Sequence, residues 1–194
     1  MTHWKRRTNK IRVYINPGHD VVYDPGAVNT NTGLREADVA AAVGEKVKYY
    51  LEVAGCEVKL LQSDNLYYDS AHPDRDVAVC ADANAWPADV FVSIHCNAFN
   101  TTARGTEVEC YSESSQGGTL AKCIQSQIVN SLHTIDRGVK EMPELIVLKH
   151  TAMPAVLVEM AFIDNDADAA LLTQRSDDFA RAIARGVTDW QLLQ

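Results

Sequence analysis

The stretch Arg12 to Asp20, RVYINPGHD, decides how the rest of the chain reads. Val13, Tyr14 and Ile15 are β-branched or aromatic, and Asn16-Pro17-Gly18 stops the run, which predicts a short buried strand that delivers His19 into a loop. The pattern recurs at Asp89 to Ile94, DVFVSI, which runs into His95-Cys96-Asn97. A third apolar run, Pro154 to Val158, ends at Glu159, and Glu36 opens a helical pattern in between. Reactive groups in open α/β sheets collect beyond the carboxyl ends of strands. His19, Glu36, His95 and Glu159 are therefore expected to meet at one metal.

Outward from this stretch, the chain alternates strand and helix. Leu34, Ala37, Ala40, Val43, Val47, Leu51 and Ala54 follow helical spacing, and Gly55 ends the helix. Cys56 to Leu61 alternates as a second strand, Ser63 to Pro73 is a polar loop, and Asp74 to Ala85 is an Ala-rich helix stopped before Pro87. Beyond His95, Gly105 to Tyr111 reads as a strand and Thr119 to Leu132 as a helix. Arg137 to Leu148 contains a turn at Met142-Pro143 followed by a short strand, Leu145 to Leu148. Phe179, Ile183, Val187 and Trp190 make a closing amphipathic helix. This order predicts an α/β fold, a single-domain three-layer sandwich with a central sheet flanked by helices. Only a loop joins GTEVECY to the DVFVSI strand, so the mostly parallel sheet should be mixed.

At 194 residues the chain is long enough for one sizeable core. Residues 1–10, with Lys5, Arg6, Arg7 and Lys10, read as a basic leader, and 11–194 as the domain. The composition, 46% hydrophobic and 23% charged, is that of a globular protein. A net charge of -8 disfavours electrostatic capture of nucleic acid or of an anionic membrane. The leader has no apolar core with a small-residue cleavage site, so no signal peptide is visible, and the longest apolar stretch, Pro154 to Phe162, is interrupted by Glu159 and too short to span a bilayer. Cys56, Cys80, Cys96, Cys110 and Cys123 form no C-x-x-C pair, which excludes a zinc ribbon and leaves mostly buried thiols. Cys96 and His95 adjoin along a strand and should face opposite ways, so they do not make a nucleophile pair.

A catalytic zinc commonly takes two imidazoles and one carboxylate and keeps a position for water. His19, His95 and Glu36 supply that set; the metal would bring a water's pKa to about 7 and polarise a carbonyl. A separate carboxylate must then carry the proton to the leaving amine. Glu159 suits this because it breaks an apolar run, VLVEMAF, where desolvation raises a carboxyl pKa. Each residue also has a structural reading: a hydrogen-bonded loop histidine, a carboxylate complementing a helix dipole, or an ion-paired glutamate.

The segments INPGHD, DPGA, LREAD, SIHCNA, GTEVECY, RGVKE and PAVLVEMAFIDN, in that order, resemble the zinc-dependent N-acetylmuramoyl-L-alanine amidases of the type 3 class. These are bacterial and phage enzymes that cut the amide between the lactyl group of N-acetylmuramic acid and L-alanine in peptidoglycan. The resemblance runs from about Ile11 to Trp190. It implies a twisted mixed sheet flanked by helices, one zinc held by His19, Glu36 and His95, and Glu159 as the catalytic carboxylate. It also implies action on the cell wall, after secretion from a longer precursor or release at lysis. Cys96 stands where alanine is common in the family and Ala161 where glycine is common. Leu61-Gln62 stands where threonine-arginine is common, a departure expected to bear on a surface contact rather than on the metal. Arg137 and Lys140 match a family segment and are read as structural or rim residues. The rival readings are a peptidoglycan-binding or regulatory module with a spent site, which would lack a ligand or the glutamate, and a zinc peptidase of carboxypeptidase type acting on stem peptides.

Overall fold

The computed structural model describes residues 10–194. The basic leader expected over 1–10 lies, but for Lys10, outside the described residues.

The first strand, β1 (Arg12–Pro17), is buried along almost its whole length. Helix α1 (Glu36–Val53) follows, then the short strand β2 (Glu57–Leu60), helix α2 (Val79–Ala85) and strand β3 (Val90–Asn97). The remaining elements are β4 (Thr106–Cys110), α3 (Gln116–Leu132), β5 (Asp136–Glu141), α4 (Ile146–His150), β6 (Ala155–Phe162), α5 (Asp166–Gln174) and α6 (Ser176–Gln191). The strands form one sheet in the order β2-β1-β3-β6-β4-β5. β2, β1, β3 and β6 run parallel, β4 is antiparallel to β6, and β5 is parallel to β4. The sheet is thus mixed and mostly parallel, as the sequence predicts.

Two apolar layers sandwich it. On one face Val13, Ile15, Val92, Ile94, Val156 and Val158 pack against α1, α3 and α6 through residues such as Val43, Ile124 and Phe179. On the other, Tyr14, Phe91, Ala155 and Leu157 meet α2 and α4 through Val79, Cys80, Val147 and Leu148. Strands covered on both faces read as continuous apolar runs, which explains the legibility of β1, β3 and β6. Cys96 joins the first layer and is 3% exposed, so its thiol points away from the face that carries His95.

Four elements differ from expectation: α2 begins at Val79 rather than Asp74, α5 has no counterpart in the sequence analysis, and two more differ in kind. Leu145 to Leu148 is not a strand: Ile146–His150 is a helical turn, closed by Leu148 N and Lys149 N donating to Leu145 O, and it buries Val147 and Leu148 on the sheet. Four apolar residues in a row fit either period, and here the sheet face offers a surface to cover rather than an edge to pair. The strand in this region is instead Asp136–Glu141, DRGVKE, at the sheet's edge. Charge protects such an edge from pairing with other chains and also erases the hydrophobic alternation that marks a strand.

The chain leaves β1 for β2 on one side and then returns to β3 on the other. That reversal opens a crevice at the carboxyl ends of β1 and β3, which is where ligands bind in folds of this type.

Candidate metal centre and acid-base site

His19 follows β1 directly, His95 lies near the end of the neighbouring strand β3, and Glu36 is the first residue of α1. The ring centroids of His19 and His95 are 5.0 Å apart. Glu36 stands between them, with Oε2 3.0 Å from His19 Nε2 and Oε1 3.0 Å from His95 Nδ1. One donor atom from each of the three lies within 4.8 Å of the others, and this is the metal-capable cluster found among the described residues.

The surroundings hold these groups in place. His19 adopts φ 63, a left-handed backbone unusual for a non-glycine residue, and such strain persists only where neighbours over-determine it. Its Nδ1 meets Asp24 Oδ2 at 2.7 Å, leaving Nε2 for the centre. This carboxylate-imidazole pairing is the support that metal-bound histidines commonly have. Glu36 Oε1 also accepts from the Cys96 backbone N–H, and Oε2 from that of Ala27. Gly18 makes room: a Cβ there would lie 2.3 Å from His95 Cε1. Burial pushes the Glu36 carboxyl upward, but hydrogen bonds from His19 and His95 outweigh it and hold it below the ordinary carboxylate range. Burial also disfavours charge on His19, yet bonding to Glu36 and Asp24 prevails and raises it to about 9. Both shifts describe three groups gathered around a shared positive charge. A cation bound by two neutral imidazoles and a carboxylate would supply that charge in their place, so the residues fit a divalent metal.

Glu159 is the register partner of His95 on β6, so the two side chains leave the same face of the sheet. Its Oε2 is enclosed and has no hydrogen-bond partner. Burial, then the charges of Glu36, Glu109 and Glu107, push its carboxyl well above the ordinary range. All four residues singled out in the sequence thus lie at one end of adjoining strands.

Further groups surround them that the sequence reading did not pick out as site residues. Glu107, opposite Glu159 on β4, accepts from Asn97 Nδ2 at 2.6 Å and from Arg137 Nε at 2.9 Å, and the Arg137 guanidinium lies 4.9 Å from the Phe162 ring centre. Arg137 is therefore ion-paired with Glu107 rather than a free cation. Glu109, on the same face as Glu107, is raised to about 7 by burial and by Glu107. Asp20 takes Arg75 Nε at 2.5 Å beside the His19 loop, and this pairing lowers it to about 2. Gln62 is half-buried, and its Nε2 donates to Gly18 O and to Ala37 O, both at 3.0 Å. Sequence offers one hint of Asp24, a carboxylate five residues past His19 in a turn, and marks Gln62 only as a departure from the family pattern, since its partners are distant along the chain.

Residues 13–189 match the protein family described as N-acetylmuramoyl-L-alanine amidase. The chain is 38% identical to Bacillus subtilis YqiI over 182 residues, covering 92% of this chain and 84% of that protein. It is 34% identical to the N-acetylmuramoyl-L-alanine amidase LytC of Bacillus subtilis, covering 92% of this chain and 35% of LytC. Among solved structures, N-acetylmuramoyl-L-alanine amidase AmiC2 of Nostoc punctiforme superposes with a TM-score of 0.80 at 29% identity, covering 95% of this chain and 98% of that one.

Proposed function

The chain belongs to the N-acetylmuramoyl-L-alanine amidase family, a family of hydrolases, and from that premise we propose that it cleaves the amide between the lactyl group of N-acetylmuramic acid and L-alanine in peptidoglycan. In this reading His19, Glu36 and His95 hold one zinc ion and Glu159 is the acid-base residue. The observation that carries it is the gathering of three donor atoms within 4.8 Å, with Glu159 in register beside His95. Bound there, zinc would polarise the scissile carbonyl and lower the pKa of a water in the crevice.

The protein's own groups do the rest. Glu36, held ionised, and the imidazoles of His19 and His95 orient the centre, and Asp24 fixes which nitrogen His19 presents. Glu159, in register beside His95, is placed to take a proton from the attacking water, its raised pKa making it a stronger base than an ordinary carboxylate once ionised. A carboxyl group with a raised pKa also keeps that proton near neutral pH instead of losing it to solvent, and so has it to deliver to the departing L-alanine nitrogen. The cell wall is the place of action. Among the described residues no helix is long and apolar enough to cross a membrane.

The test is digestion of purified cell walls with and without a chelator. New L-alanine amino termini without new reducing sugars are expected, lost with the chelator and restored by zinc. Glu159→Gln should keep zinc but slow turnover about 10²- to 10⁴-fold, whereas His95→Ala should lose both metal and turnover. Trimming within the stem peptide would instead mark a peptidase, and walls left intact by zinc-loaded protein would mark a binding module.

A further inference from the structure

Resting on the metal-centre reading above, we propose that Gln62 is a positioning residue, whose side-chain amide ties the segment carrying His19 to the helix carrying Glu36 and so sets the spacing of the metal-holding groups.

The geometry gives it that reach. Gln62 follows β2, and its neighbour Leu61 is fastened to β1 from both sides: Leu61 N donates to Ile15 O at 3.1 Å, and Asn16 Nδ2 donates to Leu61 O at 3.0 Å. Gln62 therefore projects from a segment registered on the sheet. Its Nε2 has two N–H groups, and both are engaged, with Gly18 O and Ala37 O at 3.0 Å each. Gly18 immediately precedes His19, and Ala37 immediately follows Glu36. One planar amide thus joins the two backbone segments one residue away from their donor side chains.

The tie matters because of what it restrains. The left-handed backbone at His19 needs support from its surroundings. Gly18 N donating to Ile94 O anchors the segment to β3, and Glu36 N donating to Ala27 O anchors the start of α1 to the loop, but neither bond joins the Gly18 carbonyl to the helix. Gln62 does so directly. Without it the Gly18 carbonyl loses its tie to α1; Ala37 N donating to Pro25 O and Glu36 N donating to Ala27 O still hold the later part of the loop, but the residue before His19 is less firmly spaced from Glu36 before a metal arrives. Loss of such outer support around metal ligands typically weakens metal binding about 10- to 100-fold.

The experiment compares zinc affinity, by competition with a chromophoric chelator, for the wild-type chain and for Gln62→Met, Gln62→Arg and Ile128→Ala. The methionine has similar length and no donor, the arginine keeps multiple donors on a long side chain, and Ile128 lies in the α3 core as a control for general loss of stability. Melting temperatures of the metal-free proteins are measured alongside. Gln62→Met is expected to bind zinc about 10- to 100-fold more weakly, Gln62→Arg to recover most of that loss, and Ile128→Ala to lower the melting temperature while keeping wild-type affinity. Equal affinity in wild type and Gln62→Met overturns the proposal, as does an affinity loss in Ile128→Ala matching that of Gln62→Met at equal melting temperature. Should Gln62→Met fail to fold, Gln62→Arg decides: an affinity as low as that expected of the methionine variant counts against the tie. A wild-type chain that takes up no zinc refutes the metal-centre reading itself, which keeps that failure separate from failure of the tie.

Discussion

Gly18 shows how much a single residue can decide here. A Cβ at that position would fall within 2.5 Å of three atoms of the His95 ring, so Gly18→Ala must displace the imidazole or the loop. We expect this variant to fold but to hold zinc about 10- to 100-fold more weakly, as chelator competition would report. Glu109 makes the second residue-scale prediction. Its carboxyl is raised from 4.5 to about 7, so the folded state favours its protonated form and binds more protons than the unfolded chain between those values. Stability then falls as pH rises through that window, because ionising Glu109 is easier unfolded than folded. Glu109→Gln removes the penalty. Its melting temperature should match wild type near pH 4 and exceed it near pH 8, and equal values at both pH settings would show that Glu109 is not desolvated. At this scale the sequence was readable where chemistry is rare: a histidine after a strand, or a glutamate inside an apolar run. Asp24 carries only one hint, its place in a turn five residues past His19, and Gln62 stands out only as a departure from the family pattern; the partners of both are fixed only by folding.

Among the elements, α3 and α6 pack so closely that Gly186 has no room for a side chain; a Cβ there would lie 2.5 Å from Ile124 Cα. Gly186→Ala is therefore expected to destabilise by about 1 to 3 kcal/mol through overpacking, despite alanine's better helix propensity. At about 2 to 4 °C per kcal/mol for a chain of this size, a thermal melt resolves the loss. Neither α3 nor α6 carries a residue of the donor set, so zinc affinity should be unchanged. The elements that the sequence identified correctly are those whose pattern is imposed by burial: β1, β3 and β6 as runs covered on both faces, and α1, α3 and α6 as stripes facing the same sheet. β5 escaped because DRGVKE, exposed on most of its positions, has no buried face to impose a pattern. α4 was misjudged because its five residues are shorter than the window over which helical and strand periods separate.

For the molecule as a whole, metal and fold should be thermodynamically linked, since the donor set comes from the loop after β1, from α1 and from β3 and exists only when they are assembled. Zinc at about 100 times its Kd should stabilise the chain by about 2.7 kcal/mol, raising the melting temperature by roughly 5 to 10 °C. Chelator should reverse the rise, and His95→Ala should show none. A zinc-independent melt in wild type would mean that the ion binds folded and unfolded chains alike. The local order of apolar runs, breakers and chemically unusual residues was enough to specify an α/β sandwich and to nominate the four groups of its centre, because strand and helix periods and the cost of burying charge are short-range rules. Which strands lie side by side, that β1 and β3 adjoin and bring two imidazole rings to 5.0 Å, and that Gln62 and Asp24 stand behind them, is written nowhere locally. Those facts come from topology and packing, which set distances between residues the chain keeps far apart.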